Sequence, residues 1–352
     1  MQSTDSLEHD LRRELICTAW AEPARLVVRQ SAVPIAGPGQ VLVRVEATSV
    51  NPIDAKRAAG YGKRLLGLKR AATLPVVLGN DFAGVVEAWG SGVSAFEIGE
   101  RVFGVVATGR GGGAHASHVI VPQEQLVRVL GHASSASLAV LPYSFTTMWL
   151  AVASTGLQRA NAAGKRVLIN GANGGLGRLA MHVLREWGCR VTAICATGTR
   201  DDCLALGAEL AIERSADAIA SLPDLFDVVL NFGGWDDEAL LASLLKSDAL
   251  GHATTVHPLL ANFDRFGWLR GALASRREWK RMRSRVAAHA PNARYAWTVF
   301  RPDRAALDAL AQLVASRPFG LPVGLAVPFE QASAAFEHIV RGRPGRAVLL
   351  PA

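Results

Sequence analysis

Residues 169–177 read INGANGGLG: they follow the apolar run KRVLIN (165–170) and open the helix-like stretch LGRLAMHVLREWG (176–188). Strand, glycine turn and helix in that order make a dinucleotide fingerprint, with Ala172, Gly174 and Gly177 in its three small-residue places and alanine in the first. Small residues there allow a tight turn, let the backbone approach a pyrophosphate and let the helix pack on the sheet, while the helix N-terminus supplies N–H donors. Asn173, Gly175 and Leu176 complete the loop and are expected to share the cofactor contact. A glycine turn that merely packs a helix is the alternative; the strand and helix on either side weigh against it.

Outward from the loop, β and α patterns alternate. RVTAICA (190–196), a helix through DDCLALG (201–207), FDVVLN (226–231), ALGHATTVH (249–257), RYAWTVF (294–300) and a helix from Asp303 to Val314 predict a doubly wound parallel sheet. Before the loop the rhythm differs. VLVRVEATSV (41–50) alternates apolar and polar, VVLGNDFAGVVEAWG (76–90) is a broken apolar run, and ERVFGVV (100–106) reads as a further strand. The expectation is an α/β chain with a barrel-like β domain over 1–142 and 318–352, and a doubly wound domain over 143–317.

Composition bounds the function. The chain has 352 residues, half of them apolar, enough for a sizeable core and two domains. No run of about 18 apolar residues stands out, and MQSTDSLEHDLRRE at the N-terminus carries both charges with no apolar stretch behind it, so a soluble cytoplasmic chain without membrane contact is expected. Cys17, Cys189, Cys195 and Cys203 form no C-x-x-C pair, which fits a reducing compartment. The formal charge of +8 is concentrated in 265–294, where nine of thirty residues are Arg or Lys. That segment reads as a solvated helix, as a lid attracting an acidic or acyl-carrier-bound substrate, or as a nonspecific RNA surface; no aromatic platform supports the last, so no specific nucleic acid is expected.

The acid that would bind the ribose 2′-hydroxyl at the tip of the second strand is missing. Thr197, Thr199 and Arg200 stand there instead. A guanidinium suits a 2′-phosphate and a carboxylate would repel it, so the loop favours NADPH; Asp201 and Asp202 work against this.

EATSVNPIDAKRAAGYG, LGNDFAGVVEAWGSGVSAFEIGERVFGVV, GANGGLG and the terminal GRPGRAVLL together resemble the medium-chain dehydrogenase/reductase superfamily, quinone-oxidoreductase branch, from about residue 20 onward. The segment TTVHPLLANFDRFGWLRGALASRREWK, followed by RYAWTVF, is most similar to the reticulon-4-interacting, mitochondrial-type NADPH oxidoreductases. The resemblance implies a GroES-like substrate domain, a Rossmann NADPH domain and an active site in the cleft between them. It also sets Asn51 in place of the catalytic cysteine of zinc-using members and Asn80-Asp81 in place of their His-Glu pair, which implies that no metal is held. Carried over singly, it puts Asn51 and Asp54 at the substrate end, although both could instead cap a turn around Pro52; Tyr61 facing the acceptor oxygen, or else a loop aromatic; and Thr147 beside the nicotinamide amide. Arg346 would lie near the cofactor phosphates, and Asn231 opens a loop, NFGG, one residue shorter than the family pattern. The implied activity is hydride transfer from NADPH to a quinone or other α,β-unsaturated carbonyl. The alternatives are an enoyl-thioester reductase or an NADPH-fold protein that acts by binding a partner or RNA. Homodimers are common in the family.

Overall fold

The computed structural model describes residues 11–109, 112–223 and 225–351. Most of the N-terminal stretch behind the expectation of an unexported chain lies outside them. The chain opens with strands β1 (Leu11–Ala19), β2 (Arg25–Ala32) and β3 (Gln40–Val50), then helices α1 (Pro52–Ala58) and α2 (Lys63–Gly67). Strands β4 (Val76–Val77), β5 (Asp81–Trp89), β6 (Arg101–Val105), β7 (His118–Pro122) and β8 (Leu126–Arg128) follow, then helices α3 (Ser135–Ala139) and α4 (Pro142–Ser154). An alternating run comes next: β9 (Arg166–Asn170), α5 (Gly175–Glu186), β10 (Arg190–Cys195), α6 (Arg200–Ala205), β11 (Leu210–Glu213), α7 (Ala216–Ala220), β12 (Val228–Asn231) and α8 (Glu238–Ala242). Strand β13 (Gly251–Thr254), the long helix α9 (Leu259–His289) and β14 (Arg294–Trp297) end that run; α10 (Arg304–Ser316), β15 (Val323–Pro328), α11 (Ala332–Val340) and β16 (Arg346–Leu350) close the chain.

Two compact units result, Met1–Tyr143 with Arg301–Ala352, and Ser144–Phe300. The first holds a sheet ordered β15-β16-β3-β5-β6-β8, with β7 also on β3, and a smaller sheet ordered β2-β1-β4. Its strands carry apolar residues on alternate or bulged positions, and Val41, Val43, Val45, Phe82 and Val102 fill one of its cores. The second unit is a six-stranded parallel sheet ordered β11-β10-β9-β12-β13-β14, the strand order of a doubly wound nucleotide-binding sheet. Strands buried on both faces read as continuous apolar runs, and β9 and β12 are buried along nearly their whole length for that reason.

The expected boundary at 317/318 differs from this division. Helix α10 starts on the Asp303 cap, whose side chain accepts from the Ala306 amide at 3.0 Å, and buries Ala306, Leu307, Leu310 and Ala311. It packs against β8 and the 3-10 turn before it, in the first unit, rather than completing the parallel sheet. The stretch Ser135–Ser154 is apolar and long enough to cross a bilayer, yet 67% of its window is buried inside the protein, as in a core helix.

Candidate active site

In the first unit a buried polar cluster forms where β3 ends and β5 begins. Asp81 is fully buried, and its carboxylate accepts from Ser49 Oγ at 2.7 Å, from Asn51 Nδ2 at 2.7 Å and from the Tyr143 amide. Burial pushes the Asp81 carboxyl up to about 7, against these three donors, which favour the anion. Asn51 Nδ2 also donates to Ser49 Oγ at 3.0 Å, so this amide links hydroxyl and carboxyl and does not cap the helix with its side chain. Asp54, at the third position of α1, takes the Asn51 amide at 2.8 Å and the Gly79 amide at 3.0 Å, one on each carboxylate oxygen. The turn around Pro52 is therefore held by Asp54, as the capping alternative describes.

Around this cluster stand further groups, of which His115 and Arg57, like Ser49 itself, were not singled out by the sequence. The imidazole of His115 shares a 2.9 Å hydrogen bond with the Ser49 carbonyl, and burial lowers its pKa. Arg57 donates to the Ala71 carbonyl at 2.9 Å, and Arg346 lies within electrostatic reach of Asp81 and Tyr143, its pKa lowered by burial against their pull. Ser49 is a plain strand serine and His115 lies among glycines, so neither carries a spacing signal. Tyr61 occupies the turn between α1 and α2, flanked by Gly60 and Gly62 with φ of 91° and 78°, and Lys56 Nζ is 5.9 Å from the centre of its ring. Both glycines have positive φ, which an L side chain rarely adopts, so the turn needs glycine at these two places.

The donor set at this place is poor for zinc. Asn80 Nδ2 is engaged by the Val106 carbonyl and Thr108 Oγ1, each at 3.1 Å, and Asn51 Nδ2 by Ser49 and Asp81. Among the described residues no three His, Cys, Asp or Glu side chains are grouped so as to hold a metal. Two amides and one carboxylate lack the nitrogen and sulfur donors zinc uses.

In the second unit the INGANGGLG loop forms between β9 and α5. The sharp turn belongs to Gly171, with φ of 80°; a Cβ there would come within 2.8 Å of the Gly233 amide nitrogen. The fingerprint reading missed it because Gly171 precedes the first small-residue place, which Ala172 fills. A Cβ on Gly177 would lie 2.5 Å from Ala172 Cα, which explains the last glycine. Helix α5 begins at Gly175 after the N-cap Gly174, leaving the amides of its first turn, Gly175, Leu176 and Gly177, outside the helical bonding pattern. That cradle suits a pyrophosphate. Asn173 plays another part: its Oδ1 accepts from the Ala196 amide at 3.0 Å and pins the end of β10.

Thr197 and Arg200 are exposed beyond β10, while Thr199 Oγ1 donates to the Ala196 carbonyl at 2.8 Å. Asp202 is paired with Arg178 at 2.9 Å. Glu213, at the end of β11, accepts from the Gly198 amide at 2.8 Å and places a negative charge in the same loop. Thr147 is buried in α4. Asn231 ends β12 with its amide fully engaged: Oδ1 accepts from Asn170 Nδ2 at 3.0 Å and the Gly233 amide at 3.1 Å, and Nδ2 donates to Gly234 O at 2.9 Å and Glu238 Oε2 at 2.7 Å. The shortened loop is thus shaped from beneath by Asn231. Asn170 Oδ1, buried beside it, has no protein partner.

Residues 37–131 match the alcohol dehydrogenase GroES-like domain. The bovine protein named NAD(P)H oxidoreductase RTN4IP1, mitochondrial, is 32% identical over 330 residues, covering 89% of this chain and 82% of the relative. A tomato (Solanum lycopersicum) 2-methylene-furan-3-one reductase is 32% identical over 217 residues, 59% of this chain and 53% of its own. The structure of a quinone oxidoreductase from Coxiella burnetii superposes with a TM-score of 0.78 at 22% identity, over 97% of this chain and 100% of that one. The chain belongs to the medium-chain dehydrogenase/reductase superfamily and, within it, to the family of the RTN4IP1-type NAD(P)H oxidoreductases. Its fold is accordingly a GroES-like unit joined to a Rossmann unit. The cytoplasmic expectation is overturned: the RTN4IP1 relatives from cow, mouse, human and zebrafish are named as mitochondrial proteins. Compartment addresses need not leave a mark on the folded domain, so composition and cysteine spacing are silent on them.

Proposed function

We propose that this chain is an NADPH-dependent reductase that works without zinc and delivers hydride to a quinone or another α,β-unsaturated carbonyl. The observation that carries the reading is the Asn51, Asn80 and Asp81 set, in which amides engaged by protein oxygens stand where a Lewis acid would need its ligands. Without such an acid an unactivated alcohol is a poor substrate, and a conjugated carbonyl, already electrophilic, is a good one. The names of the relatives, an NAD(P)H oxidoreductase and an enone reductase, favour the same class.

When bound, the nicotinamide supplies the hydride. The first-turn amides of α5 hold the pyrophosphate, Arg200 and Thr197 take the 2′-phosphate, and Asn231 fixes the backbone of the Phe232–Gly234 loop. Tyr61 donates a hydrogen bond to the acceptor oxygen as charge builds there, a task that a phenol O–H can perform. Thr147 orients the nicotinamide amide.

The test is NADPH consumption against quinones, enals and enoyl thioesters, run with and without a chelator, in the parent and Arg200→Ala. Quinones or enals should be reduced, chelation should leave the rate intact, and NADPH should be preferred. One charge-assisted contact is worth about 1.5 to 3 kcal/mol, roughly ten- to a hundredfold, and Arg200→Ala should remove most of that preference. Equal use of NADH by the parent would show that Glu213 outweighs Arg200. Turnover confined to acyl-carrier thioesters would replace the acceptor class, and no turnover with any acceptor would favour a binding protein.

A further inference from the structure

Helix α9 buries one narrow stripe, Gly271, Ser275, Met282 and Val286, and leaves the rest of its circumference outside the core. Near its start the helix breaks at Gly267, where φ is 74° and ψ −168°, and a Cβ there would meet nothing within 4 Å. The break therefore projects into open space. Around it four large apolar side chains stay in water: Phe266 (41% exposed), Trp268 (46%), Leu269 (76%) and Leu273 (46%). Scattered apolar residues on a surface mean nothing, but four within eight residues form a patch. Leu269, Leu273, Arg276 and Lys280 fall at i, i+4, i+7 and i+11, opposite the buried stripe, so one face runs from apolar to cationic along its length. Across α9 eight Arg or Lys stand against two acids. Among the described residues Arg276, Arg277 and Lys280 have no acid partner, whereas Arg281 is paired with Glu278 at 2.8 Å.

We propose that α9 seats the protein on an anionic lipid bilayer, with the apolar residues around Gly267 entering the headgroup layer and the cations of the following turns meeting lipid phosphates. Tryptophan and phenylalanine favour that layer, and an apolar wedge combined with a polybasic face provides the two signals that stable peripheral binding requires. A surface seat needs no spanning helix. A second copy of this chain is a worse occupant, because it brings the same cations and a formal charge of +8 to the contact. Nucleic acid would match the cations and leave Leu269 and Leu273 in water. This inference is independent of the acceptor assigned above.

The test is co-sedimentation with vesicles of phosphatidylcholine alone or mixed with phosphatidylglycerol, with tryptophan emission as a second readout. Binding should require the anionic lipid, weaken with salt and shift the emission to the blue as Trp268 leaves water. Each cation removed in Arg276→Gln with Arg277→Gln should lower partitioning about fivefold. Leu269→Ser with Leu273→Ser should abolish the residual, salt-resistant part. All four positions are exposed, so the variants should keep the fold, which circular dichroism checks. Failure to bind anionic vesicles overturns the proposal, as does binding that the cation variant leaves unchanged. A concentration-dependent dimer that disappears in the leucine variant, without vesicle binding, would assign the patch to self-association instead.

Discussion

Asp81 is the residue with the most to reveal in solution. Its pKa is raised in the folded state, from 3.8 to about 7, so the folded chain holds this proton more tightly than the unfolded one. The contribution to stability is then fully present below about pH 4 and is lost as pH rises toward 7, amounting to about 4 kcal/mol in the limit. Asp81→Asn removes the titration, so the difference in unfolding free energy between variant and parent should grow in favour of the variant from pH 4 to pH 7 and level off above it. A pH-independent difference in denaturant melts would place Asp81 in a more solvated setting. Tyr61 is tested by rate. Tyr61→Phe should lower kcat/KM by about ten- to a thousandfold under conditions where hydride transfer is limiting, with NADPH affinity unchanged. An unchanged rate would leave Tyr61 as a turn aromatic resting near Lys56.

At the scale of elements, two glycines of similar backbone conformation should behave differently. Gly171 (φ 80°) and Gly198 (φ 77°) both lie in the left-handed region, which costs about 1 to 2 kcal/mol for an L side chain. A methyl on Gly198 meets nothing within 4 Å, whereas on Gly171 it collides with the Gly233 backbone. Gly198→Ala should lose only the conformational term in chemical denaturation, and Gly171→Ala clearly more, together with NADPH binding as the loop shifts; equal losses would refute the role given to the Gly171–Gly233 approach. Here the limits of sequence reading are visible. The parallel strands and the glycine loop were legible because both faces of β9 and β12 are buried and because the fingerprint has fixed spacing. Gly171 was not, since its requirement comes from a backbone 62 positions away. Asp81 was noticed only as a missing zinc ligand: its desolvation comes from the packing around it, and its donors come from the end of β3, Ser49 and Asn51, and from Tyr143, 62 positions along the chain. Strands β1 and β2 carry polar residues on their outer face and escaped the alternation pattern.

For the whole molecule, periodicity predicted the number of units and the nature of each, but it misassigned α10, because an amphipathic stripe announces that a helix is buried without saying against what. The discontinuity of the first unit has a consequence in time. Strand β16 pairs with β3 in antiparallel register, Val348 opposite Ser49, and β15 joins the sheet at its edge beside β16. During synthesis the Rossmann segment emerges whole and contiguous, able to gather its six strands while the ribosome is still at work. The barrel that precedes it must wait, with the edge of β3 unpaired at Thr48–Val50, until the segment Arg301–Ala352 arrives. The half of the protein that is made first is the half that finishes last, and that interval is when a chaperone has something to hold.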